Sequence, residues 1–280
     1  MNRITTAFKA AAQENRAAFI PFLTAGFPNP TDFLQHAIDL LKFADILEVG
    51  LPFSDPLGDG ATIQESSEAA LSQGVTTEIT FELIRELRSL TNKPIVIMTY
   101  YNPIYCYANG ESGFVHTAQQ AGADGIILPD LPPEEATALR EAAIPIDLST
   151  IFLVAPTSTT ERLQKVTSSC SGFVYAVSVT GVTGSRAALP AEVPALVNRT
   201  REVTSLPVAV GFGVSSQTTA RAIAEVADGV VGGSALIHAI RKEGTTKRLA
   251  KEITGACKRG KLESKAVSNT HLTLPTNREV

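Results

Sequence analysis

Two carboxylates close together in the chain are the first residues whose setting suggests chemistry. Glu48 interrupts the apolar run "ILEVGLPF", and Asp59 lies between Gly58 and Gly60 in the "SDPLGDG" stretch that follows. A buried, ionised carboxylate costs several kcal/mol unless it is paired, so Glu48 is paired, protonated or there to move a proton. The runs expected on either side, "AFIPFLTAG" (18–26) and "IVIMTYYN" (95–102), hold no Lys or Arg, and Lys93 belongs to the far end of its run. Tyr100 or Tyr101 can offer Glu48 a hydrogen bond but no charge. A desolvated, unpaired carboxylate has a raised pKa and suits proton transfer. For Asp59 alone an Asx turn and a loop closing on a ligand are both open. Beside Glu48, it reads as the second member of an acid–base pair with divided roles.

The same end of the molecule is expected to hold an anion. "VGFGVSS" and "VGGSAL" place Gly211, Gly213, Gly232 and Gly233 after two apolar runs, with Ser234 adding a hydroxyl. Glycines let backbone amides approach closely, and amides at a helix N-terminus favour phosphate. "TGVTGSR" (180–186) reads as a third loop of this kind, suited to a lid. Between carboxylates and glycines, Phe22, Tyr100, Ile127, Leu153, Tyr175 and Phe212 outline an apolar slot wide enough for an aromatic ring. No lysine ends an apolar run, which argues against a Schiff base. His36, His116 and His238 are scattered over helical stretches, and His271 is given no role. The three cysteines have no ligand spacing, so neither a metal nor a cofactor is expected.

These groups must be positioned by a repeating frame. Eight β-rich apolar runs (18–26, 44–53, 94–102, 124–131, 147–156, 172–181, 206–214 and 228–236) alternate with segments of helical periodicity. Continuous rather than alternating hydrophobicity marks strands covered on both faces. Eight such units predict an α/β fold: a single (β/α)8 TIM barrel over residues 1–261. Alternation along 46–51 turns Ile46, Glu48 and Gly50 inward and Leu47, Val49 and Leu51 towards the helices. Glu48 is then near the C-terminal end of its strand, where barrels carry catalytic groups. An N-terminal extra helix over 2–15 is expected to cover the barrel's bottom, and 54–77 to form an extended loop plus an extra helix after strand two. Asn29 with Pro30, and Ser215, are the expected helix starts. Residues 262–280 lose periodicity and read as a disordered or artefactual tail.

Composition limits the partners. Apolar residues make up 44% of the 280 and charged residues 19%, enough for a large core. A net charge of −4 without a basic track argues against nucleic acid. No apolar stretch reaches the roughly 18 residues that span a bilayer. Cys106, Cys170 and Cys257, odd in number and far apart, fit a reducing, cytoplasmic setting.

"FIPFLTAGFP", "ILEVGLPFSDPLGDGATIQ", "GVTG", "VGFGVSS" and "GGSAL", in this order, resemble the tryptophan synthase alpha-subunit family over about residues 3–258. The resemblance implies a barrel that cleaves indole-3-glycerol phosphate to indole and glyceraldehyde 3-phosphate, and a beta subunit that receives the indole in an α2β2 assembly. It matches Glu48 to the family's proton-transferring glutamate and Asp59 to its indole-holding aspartate. Thr183, Gly184, Gly213, Gly233 and Ser234 match its lid and phosphate loops, and Phe22, Tyr100, Ile127, Leu153, Tyr175 and Phe212 its indole pocket. The chain departs from the pattern at Phe27, where the family often carries an acidic residue, and in "SRAALP" after Gly184, which is short for the family's lid. A stand-alone lyase, a mainly non-catalytic partner barrel and a generic phosphosugar isomerase are the competing expectations.

Overall fold

The structure, a computed structural model, describes residues 2–177, 189–211 and 213–260. Eight parallel strands close into a barrel in sequence order. They are β1 (Ala18–Thr24), β2 (Leu47–Gly50), β3 (Ile95–Met98), β4 (Gly125–Leu128), β5 (Ser149–Val154), β6 (Val174–Val177), β7 (Val208–Gly211) and β8 (Gly229–Gly232). In register, Phe22 of β1 lies beside Glu48 of β2, and Glu48 beside Val96 of β3. The expected alternation holds. Ile46 joins the interior cluster with Ile20, Val96, Ile127 and Ile151, whereas Leu47, Val49 and Leu51 pack in the outer layer against the helices.

Around the barrel run α2 (Pro30–Leu41), α4 (Thr77–Leu90), α6 (Gly110–Ala121), α7 (Thr137–Ala143), α8 (Thr160–Ser169), α9 (Glu192–Arg201), α10 (Gln217–Ala224), α11 (Ser234–Glu243) and α12 (Lys247–Ala256). Asn29 caps α2 ahead of Pro30 as expected. For α10 the cap is Ser216 rather than Ser215. The Ser216 side chain accepts the Thr219 N–H, and Thr219 reaches back to the Ser216 N–H in a reciprocal capping box. The extra helix after β2 is α3 (Ala61–Ser72).

Strand three is shorter than the run 94–102 suggested. β3 stops at Met98 because the Asp130 carboxylate accepts the Tyr101 N–H at 3.0 and 3.1 Å, and Tyr101–Tyr105 turns into the short helix α5. Strand two is likewise only 47–50, since Asp45 belongs to an ion pair below it.

Several cations of the described residues are engaged at the end away from Glu48. There α1 (Arg3–Gln13) closes the barrel's bottom, burying Ile4, Phe8 and Ala11, with the Phe8 and Phe173 rings 5.5 Å apart. Arg3 and Arg88 both grip the buried Asp124, at 2.8 and 2.6 Å, and Asp124 also accepts the Ile95 N–H at 2.8 Å. Arg16 holds Asp45 through two bonds, and Asp45 accepts the Phe19 N–H. Lys93 donates to the carbonyls of Leu41 and Ala44 at 2.6 and 2.7 Å.

Breaking a buried pair costs more than making it gains, because the abandoned partner keeps its charge. Asp124→Asn is therefore expected to destabilise the barrel by about 2–4 kcal/mol, read as a lower urea midpoint at unchanged m-value. A midpoint like that of wild type would show that the Asp124 network contributes nothing.

Candidate active site

Glu48 sits on the inner face of β2 and is 1% exposed. Neither of its carboxyl oxygens has a hydrogen-bond partner among the described residues. The two tyrosines considered for it are engaged elsewhere: the Tyr101 hydroxyl donates to Glu111 at 2.8 Å, and the Tyr100 hydroxyl accepts the Gly58 N–H at 2.9 Å. Burial, helped by the negative charge of Asp59, pushes the Glu48 pKa up to about 8. At neutral pH this group holds its proton.

Asp59 is carried by the segment between β2 and α3. Its N–H bonds the Pro56 carbonyl at 3.0 Å, and its own carbonyl accepts the Gln64 side chain at 2.9 Å. Gly58 and Gly60 do not act here by adopting a left-handed backbone, as neither is among the residues of positive φ. Gly60 is the residue preceding α3. Gly58 leaves room for Tyr100, whose hydroxyl would be 3.2 Å from a Cβ at that position. Burial pushes the Asp59 pKa up to about 6, against the pull of the Tyr100 hydroxyl. The two carboxyls thus differ by about two units, and neutral pH finds one protonated and the other ionised.

Phe22, Tyr100 and Ile127 are buried, and Leu153 and Tyr175 half-buried, on the inner side of the barrel. Two glycines let the rings lie across it. A Cβ at Gly50 would fall 2.4 Å from the Phe22 ring tip, and one at Gly211 would fall 2.4 Å from the Tyr175 hydroxyl. Gly211 therefore makes space for an aromatic residue. A Cβ at Gly232 would meet Val214 at 3.5 Å, an ordinary contact. Gly213, at φ +34°, has nothing within 4 Å of where its Cβ would be. Gly233 precedes α11, and its carbonyl takes the Leu236 and Ile237 N–H groups. The Ser234 and Ala235 amides lie ahead of those first helical bonds, the usual position of anion-binding donors. Thr183, Gly184 and Phe212, most of "SRAALP", and the tail 262–280 lie outside the described residues.

Some features left little trace in the sequence. Phe53 stacks on Tyr100 with centroids 5.3 Å apart. Thr24, at the end of β1, shares a buried 2.6 Å hydrogen bond with Ser66 of α3. Phe53 belongs to the quoted "LPFSDP" stretch, but nothing there indicates its stacking partner. The Thr24–Ser66 bond joins residues 42 positions apart and has no local signal. Phe27 is buried beneath the Arg241 guanidinium, which also pairs with Glu65. Among the described residues no group of three or more His, Cys, Asp or Glu could hold a metal.

A family profile described as "Tryptophan synthase alpha chain" matches residues 8–266. The "Tryptophan synthase alpha chain" of Deinococcus radiodurans is 52% identical over 260 residues, covering 92% of this chain and 96% of that protein. Its counterpart from Opitutus terrae is 42% identical over 255 residues, 90% of this chain and 95% of that one. Among solved structures, a chain of Mycobacterium tuberculosis tryptophan synthase superposes with a TM-score of 0.86 at 39% identity. That match covers 92% of this chain and 99% of the other.

A carboxyl whose pKa rises on folding penalises the fold as pH increases. Between pH 4.5 and about 8 the unfolded chain has released the Glu48 proton and the folded chain has not, so stability falls across that window and levels off above it. Glu48→Gln removes this dependence, while any fixed cost of burying an amide is independent of pH. The variant's melting temperature minus that of wild type is expected to rise by roughly 5–10 °C between pH 5 and pH 9. A difference that stays flat would mean that Glu48 ionises normally.

Proposed function

The chain belongs to the tryptophan synthase alpha chain family, and on that premise we propose that Glu48 and Asp59 are the acid–base pair of its reaction. The enzyme is a carbon–carbon lyase that cleaves indole-3-glycerol phosphate to indole and glyceraldehyde 3-phosphate. The indole goes to the beta subunit for synthesis of L-tryptophan. The observation that carries the catalytic assignment is Glu48 buried inside the barrel with no hydrogen-bond partner among the described residues.

Breaking the bond between indole C3 and the glycerol carbon requires a proton at C3, which leaves positive charge on the ring nitrogen. Glu48, protonated at neutral pH, delivers that proton. Asp59, ionised, accepts the indole N–H and stabilises the charge in a dry site. The C3–carbon bond then breaks, its electrons restore the aromatic ring, and the glycerol hydroxyl loses its proton to the Glu48 carboxylate as the aldehyde forms. Glu48 ends as it began. The ring lies among Phe22, Tyr100, Ile127, Leu153 and Tyr175, with Phe212 assigned to the same pocket from the sequence. The phosphate falls to Gly213, Gly233 and Ser234, and Thr183 and Gly184 keep the lid assignment made from the sequence.

Family membership favours a partnered alpha subunit over a free-standing lyase, and the paired carboxyls favour a working enzyme over a non-catalytic scaffold. Every step is proton transfer or charge stabilisation by side chains and amides, which supports a reaction without a cofactor. Among the described residues no helix is long and apolar enough to cross a membrane. The free thiols of Cys106, Cys170 and Cys257 support a cytoplasmic setting.

Release of indole from indole-3-glycerol phosphate, with and without a beta subunit, tests the assignment. Glu48→Gln is expected to lower kcat by about 10³-fold and Asp59→Asn by about 10²-fold, with folding intact. Wild-type kcat/KM should be bell-shaped, with limbs near the pair's values of about 6 and about 8. Indole release by Glu48→Gln at the wild-type rate would contradict the mechanism.

A further inference from the structure

The mechanism uses the Tyr100 ring as a wall of the slot and leaves its hydroxyl without a task. That hydroxyl is hydrogen-bonded to Gly58, the residue before Asp59. Tyr100 follows the end of β3 and immediately precedes α5, and its ring is fixed by the stack on Phe53, 5.3 Å away at 30°. Its oxygen accepts the Gly58 N–H at 2.9 Å. Accepting that bond leaves the single phenol proton free to be donated. The segment 54–59 otherwise bonds within itself and to Gln64 on α3, the helix it leads into. Leu57 at its tip is 93% exposed. Among the described residues, the Gly58–Tyr100 bond is thus the one hydrogen bond fastening this segment to the barrel.

We propose that Tyr100 is the positioning residue of Asp59: its oxygen holds the Gly58 amide and its proton goes to the neighbouring Asp59 carboxylate. One hydroxyl then fixes both the backbone and the side chain of the residue that faces the indole nitrogen. This inference rests on the proposed role of Asp59. Gly58 fits the arrangement, since a side chain there would press on the hydroxyl. The groups that act on Asp59 have opposing effects. Burial favours its neutral form and the Tyr100 hydroxyl its charged form, while its own charge acts on Glu48 of β2 and Tyr175 of β6. The charge of Asp130, which accepts the Tyr101 N–H, also acts on Tyr100. A hydrogen bond to an ionised carboxylate is worth more than one between neutral groups. Removing it shifts the balance towards neutral Asp59.

Tyr100→Phe keeps the ring and the stack on Phe53 and deletes the hydroxyl alone. The expected result is a native melting profile and an acidic limb of kcat/KM moved upward by about one pH unit. Below that limb the activity falls about tenfold, and above it the activity recovers. An unmoved acidic limb overturns the proposal, whether activity is unchanged or uniformly reduced at every pH. Asp59→Asn separates the two levels of inference. If the acidic limb persists in its residual activity, the role of Asp59 fails and takes Tyr100 with it. If the limb disappears there but stays in place in Tyr100→Phe, only the positioning role is refuted.

Discussion

A carboxyl group held in a dry interior without a partner is the constraint on which the rest of this protein depends. Glu48 is 1% exposed and has no hydrogen bond among the described residues. An arginine or lysine within reach would turn it into a structural ion pair of ordinary acidity. At the opposite end of the barrel Arg3 and Arg88 are committed to Asp124, Arg16 to Asp45, and Lys93 to two carbonyls. The same separation that stabilises the bottom leaves the top free to hold an acid that is still protonated at neutral pH. Stability and reactivity thus occupy opposite ends of one sheet.

The second carboxyl gains its different character from a different support. Asp59 is on a loop rather than a strand, is less deeply buried, and has a phenol beside it, so it ionises about two units below Glu48. One member of the pair also shifts the other. Negative charge on Asp59 raises the Glu48 pKa, which keeps the acid protonated while its neighbour is ionised. Glycines at Gly50 and Gly211 complete the arrangement, since the Phe22 and Tyr175 rings occupy the volume that side chains there would fill. The slot for a flat ring is therefore written partly in residues that have no side chain.

Much of this was legible in the sequence because parallel barrels repeat. Two-sided burial marked eight strands, and alternation along 46–51 turned Glu48 inward, since strand periodicity is a local property. Asn29 with Pro30 announced a helix for the same reason. What was misread depended on distant partners. The run 94–102 looked like one strand, but Asp130, 29 residues from Tyr101, ends it and starts a helix. The need for glycine at 211 comes from the Tyr175 hydroxyl, 36 positions away, which a Cβ there would meet. Ser215 and Ser216 are equivalent as sequence, and only the reciprocal bond with Thr219 chooses between them. Tyr100 and Tyr101 were offered to Glu48 on proximity, and their real partners, Gly58 and Glu111, come from elements whose approach no local pattern reveals.

The protonation state of Glu48 in the resting enzyme is the most direct test of this account. Infrared difference spectroscopy between wild type and Glu48→Gln isolates that carboxyl. A protonated C=O stretch present at pH 7 and titrating away near pH 8 is the result this account predicts. A spectrum already that of a carboxylate at pH 6, with a midpoint near the ordinary 4.5, would contradict it.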